Sequence, residues 1–236
     1  MISSIPQVYI GEYGTLSIDR FKEMDYQSVR KYHIPVELLM ENAGLNLARL
    51  SVGLVGSGST ILIGAGPGNN GGGGCVAARR LAGWGYSVSL HLLNTKFKPL
   101  MSVQLQRALV AGAIIRECEH PDLFLDAYLG FSQRVPLPTS YQQVIHEKSK
   151  LDCHKISLDL PTGFDSQSGK LDFIPNTILT LAAMKTELLN FLSTNHVYIA
   201  DIGLPHQVYT DFGLKPFNTF PACGLVRCLP AKSADL

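Results

Sequence analysis

Long apolar runs are missing from this sequence, and so is any dense tract of lysine and arginine. The first absence leaves no segment of membrane-spanning length. The second, with a formal net charge of +1, removes the electrostatic footprint expected of a nucleic-acid binder. Cysteine is sparse as well: Cys75, Cys118, Cys153, Cys223 and Cys228 are scattered, odd in number and contain no C-x-x-C pair. That argues against a disulfide scaffold and for the reduced thiols of a cytoplasmic protein. Cys223 and Cys228 have no histidine pair nearby to complete a zinc site. The opening stretch, Met1 to Gly14, lacks the basic and apolar regions of a secretory signal.

What is present describes an ordinary soluble globular chain: 236 residues, 46% hydrophobic and 17% charged. That length suits one large domain or two small ones. The chain is organised around Thr60 to Leu81, TILIGAGPGNNGGGGCVAARRL. Thr60 to Ile63 is β-branched and apolar enough for a buried strand. The chain then turns through Gly64, Gly66, Gly68 and Gly71 to Gly74, and Cys75 to Leu81 has helical spacing. Strand, glycine turn and helix bring unpaired backbone N–H groups and a helix N-terminus together on an anion. Gly66, Gly68 and Gly71 also satisfy G-x-G-x-x-G, a weak signal on its own. A flexible linker is the plain alternative, but linkers are rarely set between a strand and a helix with two asparagines at the tip.

Elsewhere, Leu16 to Tyr32 reads as an amphipathic helix, with Ser17 as its cap and Arg20 where a capping box would want an acid. Pro35 to Leu54 reads as a second helix, interrupted by Glu41 and Asn42 and carrying Gly44, which permits close approach of another backbone. Strands are expected at Ser87 to Leu93, Ile114 to Ile115, Leu123 to Asp126, Lys155 to Leu160, Asn176 to Leu181 and Val197 to Ile202, and helices at Pro99 to Gly112 and Thr139 to Lys150. Apolar strands alternating with helices predict an α/β fold with a mostly parallel sheet and helices on both faces. The segment after Asp211 has no clear period and is either a tail wrapped on the body or partly disordered.

In such a sheet, ligands sit beyond the carboxyl ends of the strands. The polar residues expected there are Asn69 and Asn70, Asp126, Asp159 with Thr162, and Lys185. Their oxygens suit a hard cation, and an acid and an ammonium in one cleft suit general acid–base work. Taken singly, Asp126 and Asp159 are more simply caps, and Lys185 a surface ion pair; as a set at one sheet edge they are not. A dehydrogenase would add an acid about 20 residues after the fingerprint to hold ribose hydroxyls. Here the second strand runs into Leu92-Leu93-Asn94-Thr95-Lys96, so a redox enzyme is disfavoured.

LLMENAG (Leu38 to Gly44), GPGNNGG (Gly66 to Gly72), DAYLGFS (Asp126 to Ser132), SLDLPTGFD (Ser157 to Asp165), TLAAMK (Thr180 to Lys185) and ADIGLP (Ala200 to Pro205) resemble, in order, the blocks of the NAD(P)H-hydrate epimerase family, the YjeF N-terminal domain. The resemblance spans about residues 16–205 and implies one domain over 1–236, with 206–236 as a C-terminal tail. It implies a three-layer αβα Rossmann-like fold and interconversion of the R and S forms of NADHX and NADPHX, nicotinamide cofactors damaged by hydration of the reduced ring. It further implies one potassium ion per subunit on Asn70, Asp126 and Thr162. Substrate would lie along Asn69, Asn70, Gly71, Gly72 and Gly73, along Gly130, Phe131, Ser132, Gln133, Arg134, Val135 and Pro136, and against Asp159. Asp159 and Lys185 would be the catalytic pair. A homodimer is an expected assembly. The family in many bacteria is fused to a dehydratase that this length leaves no room for, so a separate dehydratase is the expected metabolic partner.

The hydrated ring carbon bonds both a hydroxyl and the ring nitrogen, so reversible C–O or C–N cleavage can erase its configuration without redox chemistry. Either route needs a proton given to a heteroatom and taken back. Two positions depart from the family pattern. GNNGGDG becomes a run ending in Gly73, which lacks the carboxylate, and Pro-Ser-Gly becomes Pro161-Thr162-Gly163, which keeps the hydroxyl. Gly73 favours an alternative in which the chain is a catalytically weakened binding or scaffold module; retention of Asp126, Asp159 and Lys185 argues against it.

Overall fold

The computed structural model describes residues 5–230. Its first half runs β1 (Gln7–Tyr9), α1 (Ile18–Arg30), α2 (Val36–Val52), β2 (Thr60–Ala65), α3 (Asn69–Gly83), β3 (Ser87–Leu92), α4 (Pro99–Val110) and β4 (Ile114–Ile115). It continues through β5 (Leu123–Ala127), α5 (Thr139–Ser149), β6 (His154–Leu158), β7 (Thr177–Leu181), β8 (His196–Ala200), α6 (His206–Asp211), α7 (Phe220–Cys223) and β9 (Leu225–Leu229). The strands form one nine-stranded sheet in the order β1-β9-β8-β7-β6-β5-β2-β3-β4. Neighbours pair in parallel except β8 and β9, which run antiparallel.

Alternation along each strand builds the three layers. Ile61, Ile63 and Ala65 of β2 pack with Leu47 of α2, Ala78 of α3 and Leu105 of α4 on one face. Leu62 between them packs on the other face with Phe124, Ile145 of α5 and Phe173. Further along that second face, Ile178, Val197 and Val226 meet Phe21 and Met24 of α1 and Tyr209 of α6. Each such side chain taken fully out of water contributes about 1.5–3 kcal/mol.

The expected elements recur with shifted ends. The helix expected from Cys75 begins at Asn69, so Gly71 to Gly74 lie in its first turns and not in a free loop. Packing demands small residues there. A Cβ on Gly71 would stand 2.0 Å from the Gly66 carbonyl oxygen, and one on Gly44 of α2 would meet Val76 at 2.4 Å. Glu41 and Asn42, which interrupt the apolar face of α2, also serve the fold. Glu41 pairs with Arg79 at 2.6 Å and Arg80 at 3.2 Å, and Asn42 donates to the Ile202 carbonyl. The strand expected through Leu160 stops at Leu158, and the one expected through Ile202 stops at Ala200. The residues after Asp211 resolve the open choice: through residue 230 they wrap onto the body, and β9 pairs between β8 and β1.

The N-terminal helix shows how distant chain completes local signals. Ser17 Oγ accepts from the Arg20 N–H, as expected of a cap. Arg20 leaves the capping box without its acid, but Glu187 serves the next donor: its carboxylate accepts the Ile18 N–H at 3.0 and 3.1 Å. Leu16 forms a parallel bridge with Lys185. The start of α1 is thereby fastened to the segment that follows β7.

Candidate active site

Strand order reverses between β2 and β5: β3 and β4 lie to one side, β6 to β8 to the other. Such a switch point opens a crevice beyond the strand ends. A cavity of about 480 Å³ lies there, lined among others by Asn69, Asn70, Gly73, Gly130, Phe131 and Asp159. Asn69 and Asn70 open α3, whose cap makes no side-chain hydrogen bond and whose first turn holds no acid. Gly68, Asn69, Asn70 and Gly73 line the cavity, so this helix start is an anion-ready end at its wall.

Asp159 follows β6 with φ of 70°, a left-handed backbone that costs a residue with a Cβ about 1–2 kcal/mol. The surroundings hold it there. Its own N–H donates to the Leu179 carbonyl at 2.8 Å, and its Oδ2 accepts the Phe131 N–H at 2.7 Å. Oδ1 lies 3.0 Å from Lys185 Nζ and accepts no aligned hydrogen bond. Lys185 is wholly buried: its ammonium donates to the Leu181 carbonyl at 2.9 Å and sits 3.4 Å over the Phe21 ring. Burial lowers the Lys185 pKa, and the adjacent Asp159 carboxylate works against that shift. Strain of this kind, over-determined by neighbours, clusters at functional sites.

Asn70 and Asp159 share one side of the sheet. Asn70 Nδ2 donates to the Leu158 carbonyl at 3.3 Å, and a Cβ on Gly130 would lie 2.7 Å from Asp159 Oδ2 and 3.2 Å from Asn70 Oδ1. Below them Asp126 is fully buried. Its carboxylate accepts from Ser157 Oγ at 2.8 Å, Thr162 Oγ1 at 2.6 Å and the Thr162 N–H at 3.0 Å. Burial pushes its carboxyl up to about 6, against the pull of these bonds. Among the described residues no cationic side chain pairs with it. No group of three His, Cys, Asp or Glu among the described residues is set to hold a metal. One buried carboxylate among neutral oxygens fits a hard cation, which would supply the missing counter-charge.

Of the residues singled out from sequence, Asn69, Asn70, Gly73, Gly130, Phe131, Ser132, Gln133 and Asp159 line the cavity. Gly71 and Gly72 pack beneath it in α3, and Arg134, Val135 and Pro136 lie beyond its lining. Lys185, Asp126 and Thr162 stand behind the wall. Asp25, Lys96 and Lys98 also line it and escaped sequence reasoning. Lys96 and Lys98 follow the second strand, where an acid was sought and a base was not. Asp25 sits one turn after Phe21 on α1, so its helical spacing with Phe21 was the available signal.

The sequence model of the family described as YjeF-related protein N-terminus matches residues 36–187. A protein of Dehalogenimonas lykanthroporepellens named NAD(P)H-hydrate epimerase is 36% identical over 90% of this chain and 91% of its own length. One of that name from Rhodopirellula baltica is 28% identical over 84% of this chain and 88% of its own. A bifunctional NAD(P)H-hydrate repair enzyme of Thermofilum pendens is 30% identical over 65% of this chain, matching 32% of its own length. The crystal structure of yeast ynu0 shares the fold, with a TM-score of 0.81 and 22% identity over 91% of this chain and 99% of that one. The chain belongs to the YjeF N-terminal domain family, in company with relatives named for NAD(P)H-hydrate epimerisation.

Proposed function

We propose that this protein is an isomerase that interconverts the R and S forms of NADHX and NADPHX in nicotinamide cofactor repair. The observation that carries the reading is Asp159, a strained carboxylate facing a cavity that also receives the N-terminus of α3. A dinucleotide brings phosphates for that helix end and a hydrated ring for the carboxylate. Asp159 exchanges the proton, and Lys185, held behind the wall 3.0 Å from its Oδ1, keeps the carboxylate oriented. Asn69, Asn70, Gly73 and Gly130 to Gln133 contact the substrate. Potassium would be held by Asn70, Asp126 and Thr162, and would supply the positive charge that the buried Asp126 carboxylate lacks. A dehydratase acting on one epimer is the partner this reaction needs, since it draws the other epimer through, and the reduced cytoplasm is where both would work.

The test is chromatographic: purified S epimer is supplied and R epimer is followed above the spontaneous rate. A rate equal to the spontaneous one would favour the scaffold reading suggested by Gly73.

A further inference from the structure

The cavity poses a proton problem that the Asp159–Lys185 pair does not solve alone. Inverting a carbon requires a bond to break and reform with the heteroatom returning to the opposite face, so protons must be managed by two groups that reach the substrate. Asp159 reaches it. Lys185 does not line the cavity, is fully buried, and already spends its ammonium on Asp159, the Leu181 carbonyl and the Phe21 ring.

The structure assigns the second role to Asp25: on the reading above, it is the catalytic acid that protonates the departing heteroatom from the α1 wall. Asp25 lines the same cavity, one helical turn after Phe21. Phe21 is fixed between Lys185 and Phe131, its ring centroid 5.2 Å from that of Phe131 in an edge contact. The clamp of Glu187 on the Ile18 N–H and the Leu16 bridge to Lys185 lock the helix end that carries both residues. The Asp25 side chain forms no hydrogen bond and no ion pair with any described residue, so its carboxyl is free for a ligand. The flanking walls from α2 are apolar, Val36, Leu39 and Met40. Charged groups facing it are Asp159 and Lys185, with Glu187 behind the helix end and Lys96 and Lys98 elsewhere on the cavity wall. Burial, then the Asp159 charge, raises the Asp25 carboxyl to about 6, with Lys185 opposing. A carboxyl so placed holds a proton into the range where it can be given up to a heteroatom.

The step balances on either route. For C–N cleavage, the hydroxyl proton passes to Asp159 and the O–H electron pair forms the C=O bond. The C–N pair goes to nitrogen, which takes the proton of Asp25. After rotation about the adjoining C–C bond, reclosure reverses each transfer onto the other face. For C–O cleavage, the Asp25 proton joins the leaving hydroxyl to form water while the nitrogen lone pair forms the C=N bond. Water then adds to the opposite face and yields its proton to Asp159, and solvent exchange resets the two carboxyls.

The experiment compares parent, Asp25→Asn, Asp25→Glu and Asp159→Asn with S-NADHX across pH 5 to 8, after subtraction of the spontaneous rate. Asp25→Asn should lower kcat by roughly 10²–10⁴-fold, with KM within about threefold of the parent. The parent's kcat should fall as pH rises through about 6, where Asp25 loses its proton, and Asp25→Asn should lose that limb. Asp25→Glu should recover about tenfold or more of the loss, which a purely structural carboxyl would not require. A kcat within threefold of parent, a loss confined to KM, or an unchanged pH limb in Asp25→Asn would overturn the assignment. Should Asp25→Asn melt below assay temperature, Asp25→Ser is read by the same criteria. An inactive parent sinks the epimerase reading and this role with it, whereas an active parent with an unaffected variant sinks the Asp25 role alone.

Discussion

Asp126 and Asp159 end neighbouring strands and are both buried, yet they are surrounded in opposite ways. Asp126 is enclosed by neutral donors from Ser157 and Thr162 and, among the described residues, has no cationic side chain paired with it. Asp159 stands on a left-handed backbone, takes one N–H from Phe131, faces an ammonium, and opens on the cavity. The difference teaches what each can do. A carboxylate saturated by neutral donors cannot move toward a substrate, but its uncompensated charge is an invitation to a cation. A carboxylate held beside an ammonium and left with an unaligned oxygen on a cavity can exchange a proton.

The largest effect that would break this comparison is kinetic. Asp159→Ala and Lys185→Ala should each lower epimerisation by about 10²–10⁴-fold, read as R epimer formed from S; parent-like rates in both would show the pair idle. Next comes stability. Lys185→Ala strands a buried carboxylate and should cost about 3–5 kcal/mol in urea unfolding. A cost below about 1 kcal/mol would mean that Asp159 does not depend on the ammonium.

Asp126→Asn should cost less, about 1–3 kcal/mol, because it disturbs hydrogen bonds without orphaning a charge partner. Its sharper signature is ionic. Parent melting temperature should rise when potassium replaces choline at equal ionic strength, and the variant's should not. Equal potassium response in both would remove Asp126 from the cation site. The smallest effect belongs to Gly73, which lines the cavity in the second turn of α3. A new Cβ there would stand 3.1 Å from Leu158 Cδ2, the movable end of a side chain. Gly73→Asp should therefore be accommodated and should raise kcat/KM by a few-fold, matching about 0.5–1.5 kcal/mol for one added acceptor. Weaker substrate binding would mean that repulsion from the phosphates outweighs the hydrogen bond.

Sequence by itself determined the alternation of apolar strands and helices, because periodicity and glycine punctuation are local consequences of backbone geometry. It also brought Asn70, Asp126, Asp159 and Thr162 to one sheet edge, since the ends of parallel strands converge by topology alone. Tertiary structure decided the rest. Asp25 lies on a helix whose periodic pattern makes it one more polar residue; only the docking of α1 through Glu187 and Leu16 turns it into the cavity. The same docking puts Phe21 over Lys185 and leaves that lysine behind the wall, where strand-end reasoning expected it at the substrate. Strand β9 has no period to betray it, because five residues set between two other strands are chosen by their neighbours on β8 and β1. Spacing along a chain records which face a residue belongs to; which partner meets that face is decided by contacts far apart in sequence.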